Sequence, residues 1–271
     1  MQAYKARYPD RITLFLPAQN MGMVPILRPT YALCRGKYVA MLDGDDYWTD
    51  PLKLQKQVNQ LERLPESRFS VHKATILNVE TSEQRESAEP CWYRSPGELR
   101  MEDLLRYGSG VCTLSGFFRN DLGPLPEWYY QLPYPDLALF FILLMHGGAA
   151  HYLPDNMGVY RVHQAGWFSS LTSRQTHQYG AQFFEIIEAH LPAQYHNSMV
   201  HELQHIYYEL LVFALRKREL GDAARQLLHL GAYSATTPTH RPKRCPHSLL
   251  LTSLKHTGRT LRKLGLRPAG Y

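Results

Sequence analysis

An apolar run that ends abruptly on three carboxylates sets the tightest limit on what this chain can fold into. Tyr38, Val39, Ala40, Met41 and Leu42 follow Gly36-Lys37 and lead straight into Asp43-Gly44-Asp45-Asp46. A short apolar run closed by turn residues predicts a buried strand of a parallel sheet. Acids this closely spaced repel one another, so a cleft that holds them needs a counter-charge. Clustered oxygen ligands suit magnesium or manganese. Open α/β sheets also place their ligands beyond the carboxyl ends of the strands. Thr49 or Asp50 is set to cap a following helix, Pro51 suits its first turn, and Leu54, Val58 and Leu61 recur at helical spacing. The unit is strand, acidic turn, helix.

Three simple readings of that turn compete. A calcium loop counted from Asp43 fails, because Trp48 and Leu54 stand where it requires Gly and Glu. A strand followed by D-x-D also resembles the first motif of haloacid-dehalogenase-type phosphatases, with Asp43 as nucleophile, although Tyr47 stands where that motif wants Thr or Val. For a bare D-x-D string the commoner outcome is a solvated acidic turn.

The wider string weighs against the solvated turn. GKYVAMLDGDDYWTDPLKLQKQVNQLE, residues 36–62, resembles family 2 glycosyltransferases of the GT-A fold, in a bacterial subgroup marked by DGDDYWTDP. The resemblance implies an α/β nucleotide-sugar-binding sheet that lacks the strands family members carry ahead of this point. It implies transfer, with inversion, of a sugar from a UDP- or GDP-sugar to a glycan or lipid-linked acceptor in cell-envelope polysaccharide synthesis. Mg²⁺ or Mn²⁺ would sit on Asp45, Asp46 and His163, and the donor on Asp43, Asp45, Arg161 and His163. Asp136, in PYPDLALFFILLMHGG, falls where the family has its general base, although Pro135 replaces a glycine and Leu137 an aromatic. Taken alone, an acid opening a helix is often only a cap or a partner for the helix dipole. Arg161 and His163 belong to YRVH, which resembles the family's closing segment; Gln164 to Ser170 would form a lid over the donor. The rival readings are an inactive fragment serving as an interaction module and, less favoured, the phosphatase.

Around this centre the chain divides by composition. Residues 1–170 are expected to form the partial GT-A domain, 171–230 a helical extension, and 231–271 a basic linker and tail. Arg11–Leu16 and Val111–Phe118 are expected strands, Arg68–Val79 one or two strands, and 23–34 a helix broken or kinked by Pro29. Residues 80–97 should be a surface loop and 96–107 a short helix burying Met101, Leu104 and Leu105. Trp128, Tyr129 and Tyr130 could stack on sugars or simply pack. HELQH at 201–205 matches the zincin string without an evident third ligand and is weighed as a solvated helix face.

The four cysteines have no CxxC spacing, which argues against a zinc or disulfide scaffold. The formal charge is +6, and residues 231–271 hold eight Lys or Arg and no acid, leaving −2 for the remainder. The body is therefore not a nucleic-acid binder. The tail, with Leu250, Leu254, Leu261 and Leu264 between basic residues, suits either an anionic membrane surface or solvent. No apolar signal core opens the chain, and the run Leu137–Met145 falls far short of the ~20 residues a span needs. The expected location is cytoplasmic, peripheral at the inner face of the plasma membrane.

Overall fold

The fold was taken from a computed structural model, which describes residues 1–87, 98–107 and 110–234. Two short helices, α1 (Gln2–Arg7) and α2 (Met23–Ala32), precede the strand β1 (Tyr38–Ala40). After the acid turn come β2 (Tyr47–Trp48), α3 (Lys53–Arg63), the long β3 (Ser67–Asn78), β4 (Gln84–Glu86), β5 (Glu98–Leu99) and α4 (Met101–Tyr107). A 3₁₀ turn at Thr113–Ser115 leads into β6 (Phe117–Arg119); α5 (Pro135–Leu144), β7 (Ala149–Val162), α6 (Ser173–Glu188), α7 (His196–Lys217) and α8 (Leu220–Ser234) complete the order. The result is a mixed α/β fold around one mixed sheet, ordered β1-β6-β3-β7-β2, with β4 on β3 and β5 on β7.

β3 and β7 form the parallel spine of that sheet, paired from Ser67 with Ala149 to Asn78 with Val162. Phe69, Val71 and Ala74 of β3 are fully buried, as a strand covered on both faces requires. One covering layer is α5, whose residues Ala138 to Leu144 are all buried, so this helix has no polar face after its first turn. Phe140 stacks on Phe69 at 4.7 Å, and Phe141 meets Phe183 of α6 edge-on at 5.7 Å. The core of α5 and β3 continues without a break through Phe184, Ile187, Met199, Leu203 and Ile206, so α6 and α7 share it. Truncating a ring such as Phe140 costs about 3–5 kcal/mol in a core of this kind.

Several expectations are corrected. β1 is not a parallel, buried strand: it pairs antiparallel with β6 alone, is only half-buried, and lies at the sheet's end among the described residues. Arg11–Leu16 forms no strand and joins no ladder among the described residues. Pro29 does not end α2; the Thr30 hydroxyl donates to the Ile26 carbonyl at 2.8 Å in the turn the proline disturbs. The expected strand Val111–Phe118 is a 3₁₀ turn followed by a three-residue strand. Gln84–Glu86, expected as loop, pairs with β3, while 88–97 lie outside the described residues. Residues 197–230 are two helices, separated where Arg218 turns left-handed at φ 60°.

The helix after the acid turn keeps its expected period and turns a different face inward. Lys53, Gln57 and Leu61 are buried, whereas Leu54 is exposed. Gln57 explains the choice: its amide donates to the carbonyls of Ser115 at 2.9 Å and Ser70 at 3.2 Å and accepts from Lys53 Nζ at 2.8 Å. Lys53 in turn lies over the Trp48 ring at 4.1 Å. Polar residues thus bind α3 to the turn at 113–115 and to the strand behind the acids. No helix of the described residues is long and apolar enough to cross a membrane. The basic tail lies outside the described residues beyond Ser234.

Candidate active site

The acid turn follows β1 and is held from above by β7. The Asp46 amide donates to the Asp43 carbonyl at 3.2 Å, which closes the turn. β2 then pairs antiparallel with β7, Tyr47 opposite Val159 and Trp48 opposite Gly158. Gly158 permits that approach: a Cβ there would collide with the Leu114 side chain and crowd the Tyr47 carbonyl at 3.2 Å. The Trp48 indole donates to the Leu114 carbonyl at 2.9 Å, so the acid turn and the 113–115 turn are fastened to each other.

The six residues singled out from sequence come together. Arg161 donates its backbone amide to Asp46 Oδ1 at 2.8 Å and its Nε to the Asp45 carbonyl. His163 Nε2 lies 3.0 Å from Asp45 Oδ2. Asp136, in the first turn of α5 with Pro135 ahead of it, accepts from the Thr113 hydroxyl at 2.7 Å. Asp43 keeps an open outer surface, yet packing around its carboxyl, with Asp136 and then Asp45 beside it, pushes its pKa above the ordinary carboxylate value. The acid at the strand end and the acid at the helix start therefore face one cleft.

Asp46 is the electrostatic anomaly of the group. It is 8% exposed, and its Oδ2 is buried without a hydrogen-bond partner. Burial, and to a lesser degree the charges of Asp45 and Asp43, raise its pKa to about 6 against the lowering effect of the Arg161 amide. A carboxyl group in this state is relieved by a proton or by a cation at its bare oxygen. The proposed ligands do not form a ready-made trio: Asp45 is turned to His163 and Asp46 to the Arg161 amide, and no group of three metal-holding side chains is assembled among the described residues.

Two participants were missed from the sequence. Tyr160 is half-buried in the cleft; burial, then Cys112, Asp46, Asp136 and Asp43 in that order, raise its pKa to about 12. Its signal was its place in the YRVH string near the end of β7, beside the two residues already singled out there. Cys112 is the second, a thiol that burial raises to about 12 with Asp46 adding to the effect. The aromatics at 128–130, by contrast, are structural: Trp128 stacks on His190 at 4.7 Å, Tyr129 is buried, and Arg28 covers Tyr130. Trp167 and Phe168, in the segment expected as a lid, remain partly exposed and pack edge-on against Tyr134, two residues before Asp136.

No family model matches the sequence. The chain is 33% identical over 176 residues to the uncharacterized protein Rv1520 of Mycobacterium tuberculosis (strain H37Rv) and, at the same identity and length, to the uncharacterized protein Mb1547 of Mycobacterium bovis. The match takes in 64% of this chain and 48% of each relative, so the chain spans about half the length of the curated relatives it matches.

Proposed function

We propose that this cleft transfers a sugar from a nucleotide diphospho-sugar to an acceptor hydroxyl, with inversion and with a divalent metal, as part of a GT-A-type sheet. The observation that carries the proposal is the convergence of Asp43, Asp46 and Asp136 around Tyr160, with Arg161 and His163 closed onto the acid turn.

The residues fit the roles. Asp46 Oδ2, buried and bare, and the neighbouring Asp45 carboxylate would hold Mg²⁺ or Mn²⁺, with His163 joining once it leaves Asp45. Such a cation supplies positive charge against a departing diphosphate. Asp136 takes the proton from the acceptor hydroxyl, and Thr113 fixes one of its oxygens so that the other faces the acceptor. The Arg161 main chain keeps the acid turn closed, and its guanidinium stands beside the donor. A tail bound to an anionic membrane would suit a lipid-linked acceptor.

The test is hydrolysis or transfer of UDP- and GDP-sugars with Mn²⁺ present, comparing the unmodified protein with Asp46→Ala and Asp136→Asn. Loss in both variants is expected; wild-type rates in both would sink the assignment.

A further inference from the structure

Arg85 belongs to none of the motifs above, and the sheet carries it to the cleft. In β4 it stands opposite Ile76 of β3, and Ile76 stands opposite Tyr160 of β7. The pairing of Tyr47 with Val159 brings Asp46 to the level of Tyr160 on the far side of β7. Side chains directly across a ladder share a face, so Arg85, Ile76 and Tyr160 look the same way. That way is the acid cleft, because Asp46, Asp136 and Asp43 surround Tyr160. The neighbouring row fixes the phase independently: Glu86, opposite Thr75, pairs with Lys73 at 2.5 Å, and Thr75 accepts from Asn156 at 2.8 Å, all on the other face.

Its electrostatic setting is unusual. The Arg85 guanidinium lies within electrostatic reach of Cys112, the residue ahead of the 113–115 turn, and opposes the rise of that thiol's pKa. Arg85 is exposed, and among the described residues no hydrogen bond or ion pair engages its guanidinium. Arg161, by contrast, is committed to Asp45 and Asp46 through its Nε and its amide. Two strand spacings, roughly 10 Å, separate the β4 and β7 backbones. Ile76 of β3 stands between them in that row, so the acids beside Tyr160 and the planar fork of Arg85 lie along one face of the sheet, at a separation that the oxyanion of a bound substrate can bridge while Arg85 grips it with two parallel N–H donors.

We propose that Arg85 is a phosphate-binding residue of this cleft, holding a phosphoryl group of the substrate across from the acid cluster. The proposal rests on the glycosyl-transfer reading, in which the phosphate comes either from the donor diphosphate or from a phosphorylated lipid acceptor. The experiment is calorimetric binding in the presence of Mg²⁺ by the unmodified chain, Arg85→Ala and Arg85→Lys. UDP and inorganic pyrophosphate serve as donor probes, dodecyl phosphate as the acceptor probe and uridine as the phosphate-free control; matched thermal melts show that the variants fold. Arg85→Ala is expected to weaken at least one phosphate probe tenfold or more, with Arg85→Lys recovering part of the loss and uridine unaffected. A loss confined to UDP and pyrophosphate identifies the donor, and one confined to dodecyl phosphate the acceptor. Unchanged affinity for all three phosphates, or no phosphate-dependent binding by the unmodified chain, overturns the proposal. Arg85-dependent phosphate binding in a protein that neither transfers nor hydrolyses any sugar would keep this site and remove the glycosyl-transfer reading.

Discussion

The backbone amide of Arg161 donates to Asp46 Oδ1 at 2.8 Å, joining two residues 115 positions apart in the chain. This bond closes the acid turn onto the end of β7, and it leaves Asp46 Oδ2 as a buried acceptor with nothing to accept. Half of one carboxylate is built into the fold; the other half is kept open.

That division gives a stability signature. The folded-state pKa of Asp46 is about 6, above its ordinary value of 3.8, so the folded protein holds this proton more tightly than the unfolded chain. The contribution of Asp46 to stability should be greatest below pH 4, fall as pH rises from about 4 to about 6, and level off above, a trend seen as the difference between the unmodified protein and Asp46→Asn. Asp46→Asn removes the buried charge and should raise stability at pH 7 by about 1–2 kcal/mol after allowing for an unpaired amide. Mn²⁺ should raise the melting temperature of the unmodified protein at pH 7 and leave that of Asp46→Asn unmoved. Thermal melts across pH, with and without Mn²⁺, check both points.

Thr113 offers a way to separate orientation from proton transfer. Asp136→Asn should lower transfer about 10²–10⁴-fold. Thr113→Val frees Asp136 Oδ2 from its hydroxyl and should lower kcat roughly tenfold with little change in donor KM, on the usual worth of about 1 kcal/mol for one hydrogen bond. Thr113→Ser, which keeps the donor, should restore most of the rate. Steady-state kinetics of the three variants decides it.

Among the described residues the buried Lys53 ammonium, 1% exposed, has no carboxylate partner; it donates to Gln57 and lies over the Trp48 ring. Burial lowers its pKa from 10.5 to about 8. As pH rises through 8 the folded state loses this proton first, so stability should climb between about pH 8 and 10.5. Lys53→Met should be more stable than the unmodified chain at pH 7 by about 1–2 kcal/mol, and the advantage should vanish near pH 10.5. Chemical denaturation at the two pH values measures the difference.

Gly158→Ala tests the clasp around the acid turn. The added methyl meets Leu114 and the Tyr47 carbonyl, so β2 and the 113–115 turn must part. A loss of about 1–3 kcal/mol is expected, accompanied by lower activity because Thr113 moves with that turn. A thermal melt with no shift would contradict the packing described.

The sequence carried the local grammar of this molecule better than its pairings. The run Tyr38–Leu42 announced a strand, but its antiparallel partner Phe117–Arg119 lies far along the chain, and no pattern in either segment reveals orientation. Periodicity found the helix at Lys53–Arg63 and one of its inward residues, Leu61, but not Gln57, which is inward because it satisfies carbonyls on two other elements, a reason that exists only once those elements are folded. Asp136, Arg161 and His163 were legible through resemblance alone. Tyr160 and Arg85 were not, since their roles depend on which residues stand opposite them across a sheet.

The acid cluster draws its members from elements of unequal permanence. Asp136 begins a helix that is buried from Ala138 to Leu144, while Asp43, Asp45 and Asp46 follow a three-residue strand with a neighbour on one side only among the described residues. Amide hydrogens of α5 should therefore exchange through near-global opening, and those of residues 38–44, ahead of the bonds that fasten Asp46 and Trp48, through cheaper local fraying. A molecule so built carries a fixed base and a pliable turn, and occupancy of the turn would be felt chiefly as the quenching of its fluctuations.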